Sequence, residues 1–171
     1  MNKRKTLSIL IVLFLISAFI VLFTNITKLS NENNLLKNRQ GEIIQRNVLF
    51  LKNDISYAQE DLHNKDVIIS NLYRDYWKFS EFTMLDLPQI GIVGYLINIR
   101  NDFSELIKLR EEKLPQQEVD VVIVRLQYQL SKLQEALSLI KKECGNDSMK
   151  YYLLNSDGNE TMKNVLKILI E

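Results

Sequence analysis

The sequence predicts an all-α membrane protein, with an N-terminal transmembrane helix followed by long amphipathic heptad helices packed as an antiparallel helical bundle or coiled coil. Three observations support this. An uncharged apolar run lies near the N-terminus, apolar residues recur every three, four or seven positions farther on, and only five glycines and two prolines occur in 171 residues. A sheet-rich fold needs more turn-forming residues than this. We divide the chain into a basic tip (1–6), a transmembrane helix (7–24), a polar stalk (25–47) and a helical domain (48–171).

The charge balance and the cysteine count exclude some partners and cross-links. The chain has 22 Lys+Arg and 21 Asp+Glu, and three of the cations are Lys3, Arg4 and Lys5. The remainder is slightly acidic and lacks the clustered cations that bind phosphates, so we expect no nucleic-acid partner. Cys144 is the only cysteine, which excludes an intramolecular disulfide. We expect it to be a small apolar residue at a helix end, and a disulfide-linked dimer is the alternative if the domain lies outside the cell.

The apolar run predicts a membrane anchor. Of the seventeen residues 7–23, fifteen are apolar and two are serines. A helix of about 20 such residues is roughly 30 Å long, which matches the hydrocarbon core of a bilayer. Lys3, Arg4 and Lys5 precede the run, so the positive-inside rule predicts a cytoplasmic N-terminus and an extracytoplasmic domain. A cleaved signal peptide is the alternative, but this run is longer than usual and no small-residue cleavage site follows it.

Residues 25–47 are polar and rich in asparagine. Apolar residues still recur within and just beyond them, at Ile26, Leu29, Leu36, Ile43 and Phe50. This pattern is compatible with a helix that continues out of the bilayer. Asparagine and glycine weaken helices. The stretch is therefore interpreted as a marginal helix or a stalk.

From Val48 onward the pattern predicts one heptad helix of about 32 residues, roughly 48 Å long. One row is Val48, Ile55, Leu62, Ile69 and Tyr76, and the second is Leu51, Ala58, Lys65, Leu72 and Phe79, in which Lys65 is the only polar member. Such a stripe pairs with another chain or with another helix of the same chain. The periodicity leaves both open because both use the same seam.

An aromatic cluster ends this stretch and supplies the candidate partner-binding residues: Tyr73, Tyr76, Trp77, Phe79 and Phe82. Trp and Tyr are enriched at interface hot spots. Aromatics at this density also form the core of a helical bundle, which is the alternative interpretation.

The rest of the chain predicts further helices. Residues 87–99 carry no charge and are too few to span a bilayer, so they predict a buried helix, with Pro88 in its first turn. A second proline, Pro115, precedes the most regular stripe in the sequence, and Gly145 follows it as a helix stop. That stripe is Val119, Ile123, Leu126, Leu130, Leu133, Leu137, Ile140 and Cys144. Residues 149–154 predict a short strand or a helical turn, and 161–171 predict a last amphipathic helix.

The sequence offers no catalytic motif. Its only histidine, His63, lies among acidic residues on a predicted outer face, where a solvated surface is the expectation. No zinc-protease helix, CxxC pair, nucleophile elbow or glycine-rich phosphate loop is present, so we expect a non-enzymatic protein without a cofactor or metal. The favoured function is a membrane-anchored interaction or scaffold protein of the cell envelope, held by the bilayer and binding itself or another protein through its heptad faces. The alternatives are a ligand-sensing or regulatory ectodomain with a pocket along residues 73–103, or a secreted helical protein if the N-terminal segment is removed.

Overall fold

The computed structural model describes residues 3–63, 68–87 and 90–171, and the side chains of residues 14–63, 68–87 and 91–171. Within these ranges the chain forms helices and no strand, which confirms the all-α prediction. There are six helices: α1 (Lys3–His63), α2 (Ile69–Phe82), α3 (Ile90–Glu111), α4 (Gln116–Cys144), α5 (Ser148–Leu153) and α6 (Glu160–Ile170). Two residues used in the sequence analysis lie outside the described residues. They are Lys65, the polar member of the predicted heptad, and Pro88, predicted in the first turn of a helix.

The chain divides into two compact units, Met1–Arg39 and Gln40–Glu171. In the first unit α1 includes a stretch long and apolar enough to cross a membrane. From Phe14 onward, where side chains are described, an 18-residue window of this helix has a mean hydropathy of 1.4. The large apolar side chains between Phe14 and Phe23 are each 50–71% exposed. Residues 25–39, predicted as a stalk or marginal helix, are an unbroken part of the same helix.

The second unit begins at Gln40, earlier than the predicted domain start at Val48, and holds the core. Within it α2 packs on α3, α3 on α4, and α4 on α6. The side chains that are completely buried include Leu51, Ile55, Leu72, Ile92, Leu96, Ile99, Leu106, Leu126, Leu130 and Val165. Together with the other buried residues they recur mostly every three or four positions along each helix, as a single buried face requires.

The prediction of one continuous heptad helix from residue 48 to residue 79 was wrong. The helix α1 ends at His63, and α2 begins at Ile69 and runs in the opposite direction. Two ion pairs show this direction, because Arg74 contacts Asp61 whereas Lys78, farther along α2, contacts Asp54, which is earlier in α1. The two halves of the heptad stripe therefore lie on neighbouring antiparallel helices. Hydrophobic periodicity is the same whether the chain continues or folds back.

The stripe of α4 behaves as predicted. Its members are buried, apart from Ile123, which is half-buried against the core. Pro115 caps the N-terminus and Gly145, with a φ of 61°, caps the C-terminus. Residues 148–153 form a helical turn rather than a strand, and α6 starts at Glu160, with Asn159 as its N-cap.

Gly41 brings α1 and α5 together. A Cβ atom built on Gly41 would lie 1.8 Å from the carbonyl oxygen of Ser148, so only glycine fits here. The sequence suggested only that this glycine weakens a helix. Its packing role depends on a residue more than a hundred positions away, which no local pattern indicates.

Candidate functional site

Hydrogen bonds and ion pairs hold α2 against the C-terminal part of α1. Asn71 Nδ2 donates to Asp61 Oδ1 at 2.9 Å, and Arg74 Nη2 donates to the other oxygen of the same carboxylate. Lys78 contacts Asp54 and also lies over the ring of Tyr57, 5.6 Å from its centroid. These contacts fix which side chains of α2 face α1 and which are left on the surface.

The five candidate aromatic residues are divided between the core and the surface. Phe79 is 1% exposed and stacks on Phe103 of α3 with ring centroids 5.5 Å apart, and Phe82 is also buried. Trp77 is 62% exposed, and Tyr73 lies on the same outer side of α2. The sequence grouped all five together because they are close in sequence, although Tyr76 and Phe79 already belonged to the heptad rows.

Tyr76 lies between these two groups. It is half-buried against the core, and its ring meets Trp77 edge-on with centroids 5.4 Å apart. The aromatic side chains left on the surface of α2 are therefore Trp77, Tyr73 and the outer edge of Tyr76. Below we call these three residues the aromatic surface.

A shallow groove borders the aromatic surface where α2 meets α3. It has a volume of about 280 Å³ and is lined by Tyr73, Tyr76, Ser104, Ile107, Lys108 and Glu111. Tyr73 Oη donates a hydrogen bond of 2.8 Å to Glu111 Oε1 at its rim. That hydrogen bond raises the pKa of Tyr73, because the phenolic proton is held by a carboxylate. The groove thus combines two aromatic rings with charged groups of both signs.

A buried carboxylate lies behind this surface. Asp75 is 1% exposed, and its Oδ1 accepts hydrogen bonds of 3.0 Å from Arg74 Nε and Nη2. Its Oδ2 is buried and has no hydrogen-bond partner among the described residues. Burial raises the pKa of Asp75 to about 6, against the lowering effect of Arg74, and the nearby Asp61 carboxylate adds to the rise. Sequence analysis missed this residue.

A positional signal for Asp75 does exist in the sequence. Asp75 falls on the buried face of α2, which consists of Leu72, Asp75, Phe79 and Phe82. An acidic residue at a core position of a helical stripe is uncommon and usually has a partner. That pattern could have identified Asp75, but it emerges only once α2 is separated from the longer heptad.

The other chemically reactive residues do not assemble into a site. His63 is exposed, and its Nδ1 lies 2.7 Å from the backbone oxygen of Gln59 in its own helix. No group of three or more metal-ligating side chains occurs within the described part of the chain. Cys144 is 4% exposed, and burial raises its pKa. Its burial opposes the disulfide-linked dimer that sequence analysis left as an alternative.

Comparisons with known proteins place no further constraint on this chain. No family model, curated protein or solved structure matches it. The exposed surfaces and the buried groups described above are therefore the features of this chain that bear on its function.

Proposed function

We propose that this chain is a single-pass, membrane-anchored interaction or scaffold protein of the cell envelope, without enzymatic activity. Its basic N-terminal tip would lie in the cytoplasm, and its helices would pack as an antiparallel bundle on the other side of the membrane. It would bind a protein partner through surfaces that the bundle leaves exposed.

The observation that carries the proposal is the exposure of the apolar part of α1. Eight large apolar side chains between Phe14 and Phe23 are at least half exposed. Exposed apolar patches of this size mark sites that are covered by a membrane or a partner. The length and lack of charge of the segment favour a bilayer, and Lys3, Arg4 and Lys5 favour a cytoplasmic N-terminus.

An interaction role is supported by the distribution of apolar side chains in the second unit. The predicted heptad faces of α1 and α4 are used internally, so they do not supply a free binding face. The aromatic surface on α2 remains, with Trp77 as its most exposed member. Tryptophan and tyrosine bind well because they offer large, rigid contact areas with a polar edge.

The groove between α2 and α3 favours a second candidate, a ligand-sensing domain. Its rings and the Glu111 carboxylate would suit a small amphipathic molecule, although it is shallow for a dedicated pocket. A ligand that binds only the folded chain raises the thermal stability, and the rise grows with the logarithm of the ligand concentration once this exceeds Kd. Such a shift, abolished by Tyr76→Ala, would favour sensing over scaffolding.

Cysteine labelling in intact cells tests the proposed topology. Cys144→Ala removes the native thiol, and Asp157→Cys places a new one in the exposed turn before α6. We expect a membrane-impermeant maleimide to label this cysteine in intact cells. The labelled protein should have its full length and lie in the membrane fraction. Labelling only after lysis would contradict the proposed orientation. A labelled, shortened and soluble product would indicate a cleaved signal peptide.

A further inference from the structure

The end of the apolar span and the part of α1 that follows it carry an exposed heptad seam within the first compact unit. Leu22, Leu29 and Leu36 recur at seven-residue intervals, and Ile26 and Asn33 form the alternate row. All five are exposed, the four apolar ones by 60–64%. In coiled-coil notation the leucines occupy d positions, while Ile26 and Asn33 occupy a positions. This seam is separate from the heptad at residues 48–79, which the second unit uses internally.

A lone helix with this composition has only marginal stability in water. Isolated helices of 12–15 residues are marginal even when rich in alanine, and the segment contains Asn25, Asn31, Asn33 and Asn34. Leucine side chains exposed at regular spacing indicate that another helix covers them. Polar residues in and beside the seam indicate which helix this is.

The polar residues fit a second copy of the same segment. In a parallel pair, a g position faces the e position five residues later on the partner helix, and here those positions are occupied by Glu32 and Lys37. Symmetry makes this attraction occur twice. The preceding pair, Asn25 and Ser30, is uncharged. The combination of β-branched Ile26 at a, leucine at every d and one asparagine at a is typical of two-stranded parallel coiled coils.

We propose that residues 22–39 of two copies of this chain pair as a parallel, two-stranded coiled coil that begins at the end of the predicted span and continues directly outside the membrane. This inference rests on the proposed membrane anchor, since two chains inserted in the same orientation can only run parallel. The paired segment is about 27 Å long, short for a free coiled coil. Anchoring in one bilayer raises the effective concentration of the two segments and compensates for this shortness. Asn33 would meet its counterpart across the seam and set the register.

Matched cysteine variants of the full chain test the pairing. In a Cys144→Ala background, Asn33→Cys lies in the seam, whereas Asn31→Cys lies at the f position on the opposite side of the same helix. Both replace an exposed asparagine. Mild oxidation of membranes should convert Asn33→Cys to a product of twice the chain mass, roughly fivefold or more in excess of Asn31→Cys. Equal yields, a product of another mass, or no product from membrane-inserted protein would overturn the proposal.

Charge reversal tests the register and orientation. With Asn33→Cys as reporter, Glu32→Lys should lower the yield of dimer roughly threefold to tenfold, because two attractions become two repulsions. Adding Lys37→Glu to the same chain should restore the yield. No loss with the first change, or no recovery with the second, would overturn the parallel arrangement.

Fractionation of the same samples separates this inference from the proposed function. Protein in the membrane fraction without selective cross-linking leaves the anchor standing and removes the dimer. Protein in the soluble fraction contradicts the anchor, and its Asn33→Cys yield then measures pairing without a membrane.

Discussion

Arg74 donates two hydrogen bonds of 3.0 Å to one oxygen of the Asp75 carboxylate and leaves the other oxygen buried, without a partner among the described residues. A fully buried carboxylate with half of its hydrogen-bonding capacity unused is unfavourable when ionised. Asp61, which also contacts Arg74, adds a second negative charge to the same cation. The α1–α2 contact therefore contains a group that folding prefers in its protonated form.

Asp75→Asn should stabilise the protein at neutral pH. The folded pKa of Asp75, about 6, exceeds its ordinary value of 3.8, so its favourable contribution is complete below pH 4 and is lost as the pH rises through 6. Above pH 6 the ionised Asp75 lowers the free energy of unfolding by at most about 3 kcal/mol, because one pKa unit corresponds to about 1.36 kcal/mol. We expect the variant to unfold at a higher temperature than the native chain at pH 7.5, with the difference disappearing near pH 4.

Circular dichroism of the full chain in detergent measures this effect. Asp157→Asn, in an exposed turn, is the control for the loss of one negative charge, and it should give no pH-dependent difference. A larger loss of stability for Asp75→Asn at pH 7.5 than at pH 4.5 would mean instead that the Arg74 contact outweighs the cost of burial.

Gly41→Ala should destabilise the second compact unit. Its Cβ would lie 1.8 Å from the backbone oxygen of Ser148, so α1 and α5 would have to separate. Gly94→Ala is a matched control, because Gly94 lies in α3 with no atom within 4 Å of the added methyl group. Alanine there should stabilise the helix by about 0.5–1 kcal/mol. Urea unfolding should therefore show opposite signs for the two changes, and equal signs would contradict the close approach.

The sequence predicted helices well where a stripe lies within one helix. The alternating spacing along α4 corresponds to one buried face between Pro115 and Gly145, so local information was sufficient. It failed where the stripe crosses a chain reversal, since Leu72 and Phe79 keep heptad spacing from Leu51 although they lie on a different helix. Only the pairing of residues distant in sequence distinguishes a hairpin from a continuous helix.

The sequence selected the aromatic residues as candidates but did not separate those in the core from those on the surface. The aromatic residues were found because they are concentrated in ten positions, but their division between core and surface depends on how α2 meets α3. Asp75 was not found because it lies outside both rows of the predicted heptad, where a charged residue is expected to face solvent. Gly41 and Ser148 meet only in three dimensions.

Phe79→Ala and Trp77→Ala should separate folding from binding. Phe79 is buried against Phe103, so its removal should lower the free energy of unfolding by about 3–5 kcal/mol. Trp77 is exposed, so its removal should cost less than about 1 kcal/mol and act instead on partner binding. Urea unfolding in detergent measures the loss of stability in each of the two variants. Similar losses for the two would mean that Trp77 is part of the core.

Cys144 should react slowly with thiol reagents in the folded chain. Only 4% of the residue is exposed, and burial raises its pKa despite the opposing effect of Lys150, so little of the reactive thiolate is present at pH 8. In detergent, the chromogenic disulfide DTNB should modify Cys144 at least roughly tenfold more slowly than the cysteine of a Cys144→Ala, Asp157→Cys chain. Both should react alike in 8 M urea, which removes the effect of burial. Fast reaction of the folded chain, or a Cys144-linked dimer on a non-reducing gel, would mean that the end of α4 opens readily and would restore the disulfide-linked dimer as a hypothesis.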